Sequence, residues 1–309
     1  MNLEQPLRIS VIDPIGPGIE KVKTILFKPF DFRKWFVIGF CAWLAFLGKG
    51  AGGGGRPPNI HKGFGQAKEF VIENLVWIIP AALIGVVLII ALWLVFTWLS
   101  SRGRFMFLHC VAENKAEVKV PWTKFRQHAY SLFLFRIVLG LIGFAAIGLP
   151  CLLTVGFIAM IMAGNGLSVI AVLGSVMIGL IIFTISITLF LVGKFTMDFV
   201  VPIMFLRTTS CTAGWREFLT ILSVNKARFV LYILFQIVIA IAISAITSIG
   251  FCIGCCLCCV SLLILIPYIG TVILLPLLVF KRAYSLRYLG QFGPEFDVFG
   301  PEIETIQPS

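Results

Sequence analysis

Acidic residues are scarce in this chain and histidine is rarer still: 14 Asp and Glu and 3 His among 309 residues. No two acids fall close enough on one predicted element to share acid–base work. Glu69 and Glu73 come nearest, at i and i+4, and read as the solvated face of a loop helix. His61, His109 and His128 sit in different loops and offer no metal-ligand pair on one helix. The Gly48–Gly55 run lacks the Lys-Ser/Thr that a phosphate loop requires. Nucleophile and dinucleotide signatures are absent as well, so neither catalysis nor a cofactor is expected. No cleavable leader is expected within the first 34 residues, and the first span is expected to act as its own insertion signal.

Charge of either sign is thin, at 13% of positions against about 25% in soluble domains. In its place stand six apolar blocks: Trp35–Leu47, Val76–Leu99, Leu132–Met162, Leu167–Val192, Phe229–Gly250 and Leu257–Phe280. With 59% hydrophobic residues, no soluble core could hide that surface, whereas a bilayer solvates it. The sequence therefore predicts an all-α, polytopic membrane bundle of about six spans, arranged as three hairpins with interfacial amphipathic helices. A tail over residues 1–16, a six-span domain over 17–289 and an acidic tail over 290–309 complete the expected organisation.

The 25 Lys and Arg are not spread evenly among the gaps. If each block crosses once, only Lys49, Arg56, Lys62 and Lys68 fall on one side, and the other 21 on the opposite side. Basic short loops stay cytoplasmic, so both termini are expected inside a bacterial-type inner membrane. The net charge of +11 then reflects loops that meet anionic headgroups. It is not read as a nucleic-acid footprint, since no recognition module accompanies it. Trp35–Leu47 is the weakest block, because 13 residues reach only about 20 Å. A re-entrant hairpin is its alternative, but it divides the basic residues less unevenly.

Two short segments look alike. Met106-Phe-Leu108 precedes Trp122-x-x-Phe125, and Met204-Phe-Leu206 precedes Trp215-x-x-Phe218, each followed by a span. Trp and Phe at i and i+3 share a helix face, as in an interfacial helix lying among headgroups. These elbows resemble uncharacterised polytopic membrane families of bacteria, and are similar to the membrane domain attached to some glycerophosphodiester phosphodiesterases. Over Ile19–Leu289 that resemblance implies an inner-membrane bundle and carries over no catalytic residue. The Pro-x-acid-x-x-base pattern of mitochondrial carriers fits only at Pro29, Asp31 and Lys34, ahead of a span instead of at its end, and that family is rejected.

Among polar candidates, Asp198 is the one acid embedded in apolar sequence, four residues after Lys194. A carboxylate at mid-bilayer costs about 2.5–3.5 kcal/mol, so an interfacial pair with Lys194 is expected, with a solute or proton site as the alternative. Gln236 and Arg136 lie near the starts of their spans. Cys252, Cys255, Cys256 and Cys259 could be read as metal ligands. They also continue a stripe of small residues from Ala240 through Ser244 and Ser248, which lets helices approach closely in lipid, and packing is preferred. The acidic tail repeats Phe292-Gly-Pro-Glu295 as Phe299-Gly-Pro-Glu302 and is expected to be exposed, the alternative being a return onto the basic face. The leading function is a non-enzymatic protein that organises membrane lipids or a partner complex, with anionic headgroups, a protein partner or a second copy on its cytoplasmic side. A small-solute or lipid permease comes second, because the spans hold few polar groups that could converge.

Overall fold

A computed structural model describes residues 9–47, 75–162, 169–256 and 267–300. Every regular element among them is helical: α1 (Ile15–Val22), α2 (Phe32–Phe46), α3 (Leu75–Glu113), α4 (Lys119–Lys124), α5 (Arg126–Met162), α6 (Val169–Phe195), α7 (Val201–Arg207), α8 (Cys211–Val224), α9 (Lys226–Cys256), α10 (Pro267–Ile273) and α11 (Leu275–Gly290). A π-turn at Thr196–Val200 joins α6 to α7. Among the described residues, four stretches are long and apolar enough to cross a membrane: Trp77–Glu113, Arg126–Gly156, Val172–Arg207 and Lys226–Gly250. Pro80 and Pro150 lie inside α3 and α5 without ending them. Such prolines are tolerated in apolar spans where neighbours satisfy the freed carbonyl.

Neither end block makes a comparable helix among the described residues. Asp31 caps α2 by accepting a 2.8 Å bond from the Arg33 backbone N–H, which accounts for the acid in the Pro29–Lys34 segment. The 15 residues of α2 rise about 22 Å, short of the roughly 30 Å hydrocarbon layer. Two glycines let it pack closely instead. A Cβ on Gly103 of α3 would lie 2.5 Å from the Ala45 nitrogen, and one on Gly39 would lie 2.7 Å from Val272 of α10. The Ser100 hydroxyl donates to the Ala45 carbonyl (2.9 Å), and the Trp35 indole donates to Val272 (3.0 Å). Helix α2 is thus clamped between α3 and α10.

The core gathers at one end of the long helices. Phe105 to Leu108, Phe125, Leu132, Phe199 to Val201, Met204, Phe218, Phe229 and Tyr232 are buried there with α1, α2 and α11. Phe218 stacks on Phe199 at 5.3 Å, and Phe229 meets both rings edge-on. We call this region the base. From it the remaining lengths of α3, α5, α6 and α9 project with outward-facing apolar side chains.

Both Trp-Phe elbows belong to the base. Phe125 and Phe218 are buried in it, Phe125 stacking on Phe205 at 4.9 Å. The phenylalanines therefore tie the short helices inward, where the sequence suggested a face toward headgroups. Trp122 and Trp215 stay half-buried, Trp122 edge-on to Trp98 with the Arg102 guanidinium 4.5 Å from its ring. The tail also departs from the exposed reading. Gln291 exchanges two hydrogen bonds with the Ser10 backbone (2.8 and 3.0 Å), Glu295 pairs with Arg207 (3.7 Å), and Phe299 lies against both Lys21 and Arg287. Up to Gly300 it folds back onto the basic face.

Candidate functional site

Where the base meets the projecting helices, a cavity of about 490 Å³ opens. All four polar residues singled out in the sequence line it: Arg136 from α5, Lys194 from α6, Asp198 from the π-turn and Gln236 from α9. They are joined by Arg104 from α3 and by Lys281 and Arg282 from α11. Five basic side chains thus surround a single carboxylate.

The carboxylate is already engaged. Lys194 Nζ lies 2.7 Å from Asp198 Oδ2, at the i, i+4 spacing read from the sequence. The Tyr232 hydroxyl donates to the same oxygen at 3.0 Å, Gln236 Nε2 donates to the Tyr232 oxygen at 3.0 Å, and Lys194 donates to Gln236 Oε1 at 3.3 Å. The four side chains close a ring in which the buried Gln236 amide has both ends satisfied. Such a ring fixes its members, since a half-satisfied polar network in a dry site is costly.

The arginines are less well served. Arg136 Nη1 donates to Ser101 Oγ (3.0 Å) and to the Thr97 carbonyl (3.3 Å). Arg104 from α3 and Arg282 from α11 converge on Met197, Arg104 Nη1 against its sulfur and Arg282 Nη1 on its carbonyl oxygen (2.6 Å). The Nε of each is buried with no hydrogen-bond partner among the described residues, although Arg104 as a whole is only 8% exposed. Lys281 forms no hydrogen bond or ion pair among the described residues. Burial, and the neighbouring Lys194 charge, hold its ammonium below the ordinary lysine range against the pull of Asp198. Burial likewise pushes Arg282 down to about 10, which leaves it charged at neutral pH.

Apart from Ser285, the rest of the described lining is apolar, including Leu139, Leu189, Phe190 and Leu278, with Gly140 and Gly193 giving room. A Cβ on Gly193 would meet nothing within 4 Å. Phe190 is 66% exposed on the outer surface of α6, so the cavity reaches the apolar flank of the molecule. Cations at the bottom and hydrocarbon at the side match the two halves of an anionic amphiphile.

Of the Cys cluster, the described Cys252 is not among the residues that line this cavity. Helix α9 continues unbroken to Cys256 and Cys252 is an exposed free thiol. The side chains of Cys255 and Cys256, and Cys259 altogether, lie outside the described residues. So do residues 48–74 and 163–168.

Sequence reading missed Arg104, Tyr232, Lys281 and Arg282. The three basic residues were counted only as loop charge, yet each lies within one or two helical turns of an apolar block's end, and that position was the available signal. Tyr232 carried none.

The chain matches the family of unknown function DUF7544 over residues 9–269. It belongs to that family. Neither a curated protein nor a solved structure matches it. Membership brings no activity with it, and no link to glycerophosphodiester phosphodiesterases.

Proposed function

We propose that this member of the DUF7544 family is a non-enzymatic, multi-pass protein of a bacterial-type inner membrane that holds lipid by its anionic headgroup. The observation that carries the reading is the cavity: five basic side chains around one neutralised carboxylate, opening onto an apolar flank. Basic pockets between spans on the cytoplasmic side are how membrane proteins recognise phosphorylated headgroups. The distribution of Lys and Arg supports placing the base, the cavity and both termini on that side. The contacts of α2 with α3 and α10 support the reading that the first and last blocks stand side by side, and six crossings as three hairpins rest on the charge distribution alone.

A permease for the same lipid is the second reading. Transport needs polar groups that converge, and here they do converge, although at the ends of the spans. Retention of lipid and its transfer between leaflets separate the two readings.

The test is lipid analysis of the protein purified in mild detergent from a membrane of known composition. Anionic phospholipid should be enriched over its membrane share, and Gly193→Leu, which puts a branched side chain into open space at the cavity wall, should remove that enrichment while the protein stays folded. Unbiased lipid in both proteins contradicts the proposal.

A further inference from the structure

The cavity's own chemistry narrows the headgroup beyond anionic. Five cations face one carboxylate, and that carboxylate already receives Lys194 and Tyr232 on a single oxygen. An ammonium on the ligand, as in ethanolamine or serine headgroups, would meet five like charges and find one carboxylate oxygen, Asp198 Oδ1, outside the Lys194 and Tyr232 contacts. A singly charged phosphodiester would leave most of the excess positive charge uncompensated in a site walled by hydrocarbon, where charge is expensive. Arg104 and Arg282, reaching Met197 from α3 and α11 with their Nε donors unpartnered among the described residues, supply the planar forks that suit phosphate oxygens.

Resting on the lipid-binding reading above, we infer that the cavity selects an amine-free phosphate headgroup carrying two negative charges, bound between Arg104 and Arg282 with Lys281 and Arg136 beside them. Phosphatidic acid near neutral pH has this chemistry with two chains. The chains leave along Leu139, Leu189 and Phe190.

The experiment measures saturable binding to the whole protein in nanodiscs of neutral phosphatidylcholine doped with one test lipid at a time. The test lipids are phosphatidic acid, phosphatidylglycerol, phosphatidylserine and phosphatidylethanolamine, with inorganic phosphate in solution as the headgroup without chains. Phosphatidic acid should bind at least about tenfold more tightly than phosphatidylglycerol, the worth of one charge-assisted hydrogen bond. Phosphatidylserine and phosphatidylethanolamine should fall below phosphatidylglycerol. Lys281→Gln, at a side chain the fold does not use for hydrogen bonding, should cost phosphatidic acid about tenfold and phosphatidylglycerol less, and Arg282→Lys should lower the selectivity although the charge is kept. Inorganic phosphate competing as well as the lipid would assign the site to a soluble anion and overturn the lipid source. Equal affinity for the three anionic lipids, with phosphatidylethanolamine weaker, overturns the selectivity and leaves the anionic-headgroup reading standing, whereas equal affinity for all four overturns both. No saturable binding of any lipid overturns both.

Discussion

The base and the projecting helices have similar apolar composition and opposite surroundings. In the base, Phe199 is 0% exposed and stacked among aromatic neighbours. Further along the same kinds of helix, Trp77 is 79% and Phe144 81% exposed. An apolar side chain in the base is held by specific partners, and one on the projections needs only hydrocarbon around it. Hydropathy measures the second property and is blind to the first.

Breaking the base should therefore do far more than altering the projections. The largest effect is expected at Gly103, where the α2 and α3 backbones nearly touch. Gly103→Leu should abolish recovery of folded protein, read by size-exclusion profile after detergent extraction. Next, Phe199→Ala should cost about 3–5 kcal/mol, as aromatic truncations in cores do, whereas Phe144→Ala on the lipid-facing side should cost under about 1 kcal/mol. Denaturation of both variants in mixed micelles sets the two against each other, and equal losses would erase the distinction between the regions.

The cavity lies on their boundary and should answer to charge as well as to packing. Asp198→Asn removes the acceptor that Lys194 and Tyr232 share, and stability should drop by about 2 kcal/mol. The same change deletes the cavity's negative charge, so anionic-lipid affinity should rise while thermal stability falls. A structural ion pair alone would lower both. The smallest expected effect is with pH. An anion favours the protonated form of Lys281, whose proton is held less tightly than usual by burial and by Lys194. Affinity should thus decline as pH rises, beginning below the ordinary lysine range. Lys281 is faced by Lys194 and Asp198, with Arg282 beside it and Arg104, Arg136 and Gln236 lining the same cavity. In Lys281→Gln the same titration should be flatter.

The four central blocks were legible because each is long and uncharged enough to admit no other reading. Lys194 with Asp198 was legible for a related reason, since i, i+4 contact follows from helix geometry alone. The end blocks were not, because the shortness of α2 is made good by tertiary contacts at Gly39 and Gly103 that hydropathy does not register. The elbows misled for the same reason: a Trp-Phe face suits headgroups and a protein core equally, and only packing decides between them. Most of the cavity escaped as well. Arg104 and Arg282 are 178 positions apart and meet only because α3 and α11 pack into one base. A charge count per loop can assign a side of the membrane, yet it cannot show that charges from separate loops share a cavity.

The most direct test of the lipid-holding cavity is photo-crosslinking in native membranes with an anionic phospholipid that carries its reactive group beside the phosphate, followed by peptide mapping. The account predicts labelling concentrated at Lys194–Asp198 and Leu278–Ser285, competed by unlabelled anionic lipid and lost in Gly193→Leu. Labelling spread along the outward faces of α3, α5 and α6, unchanged by Gly193→Leu, would contradict it.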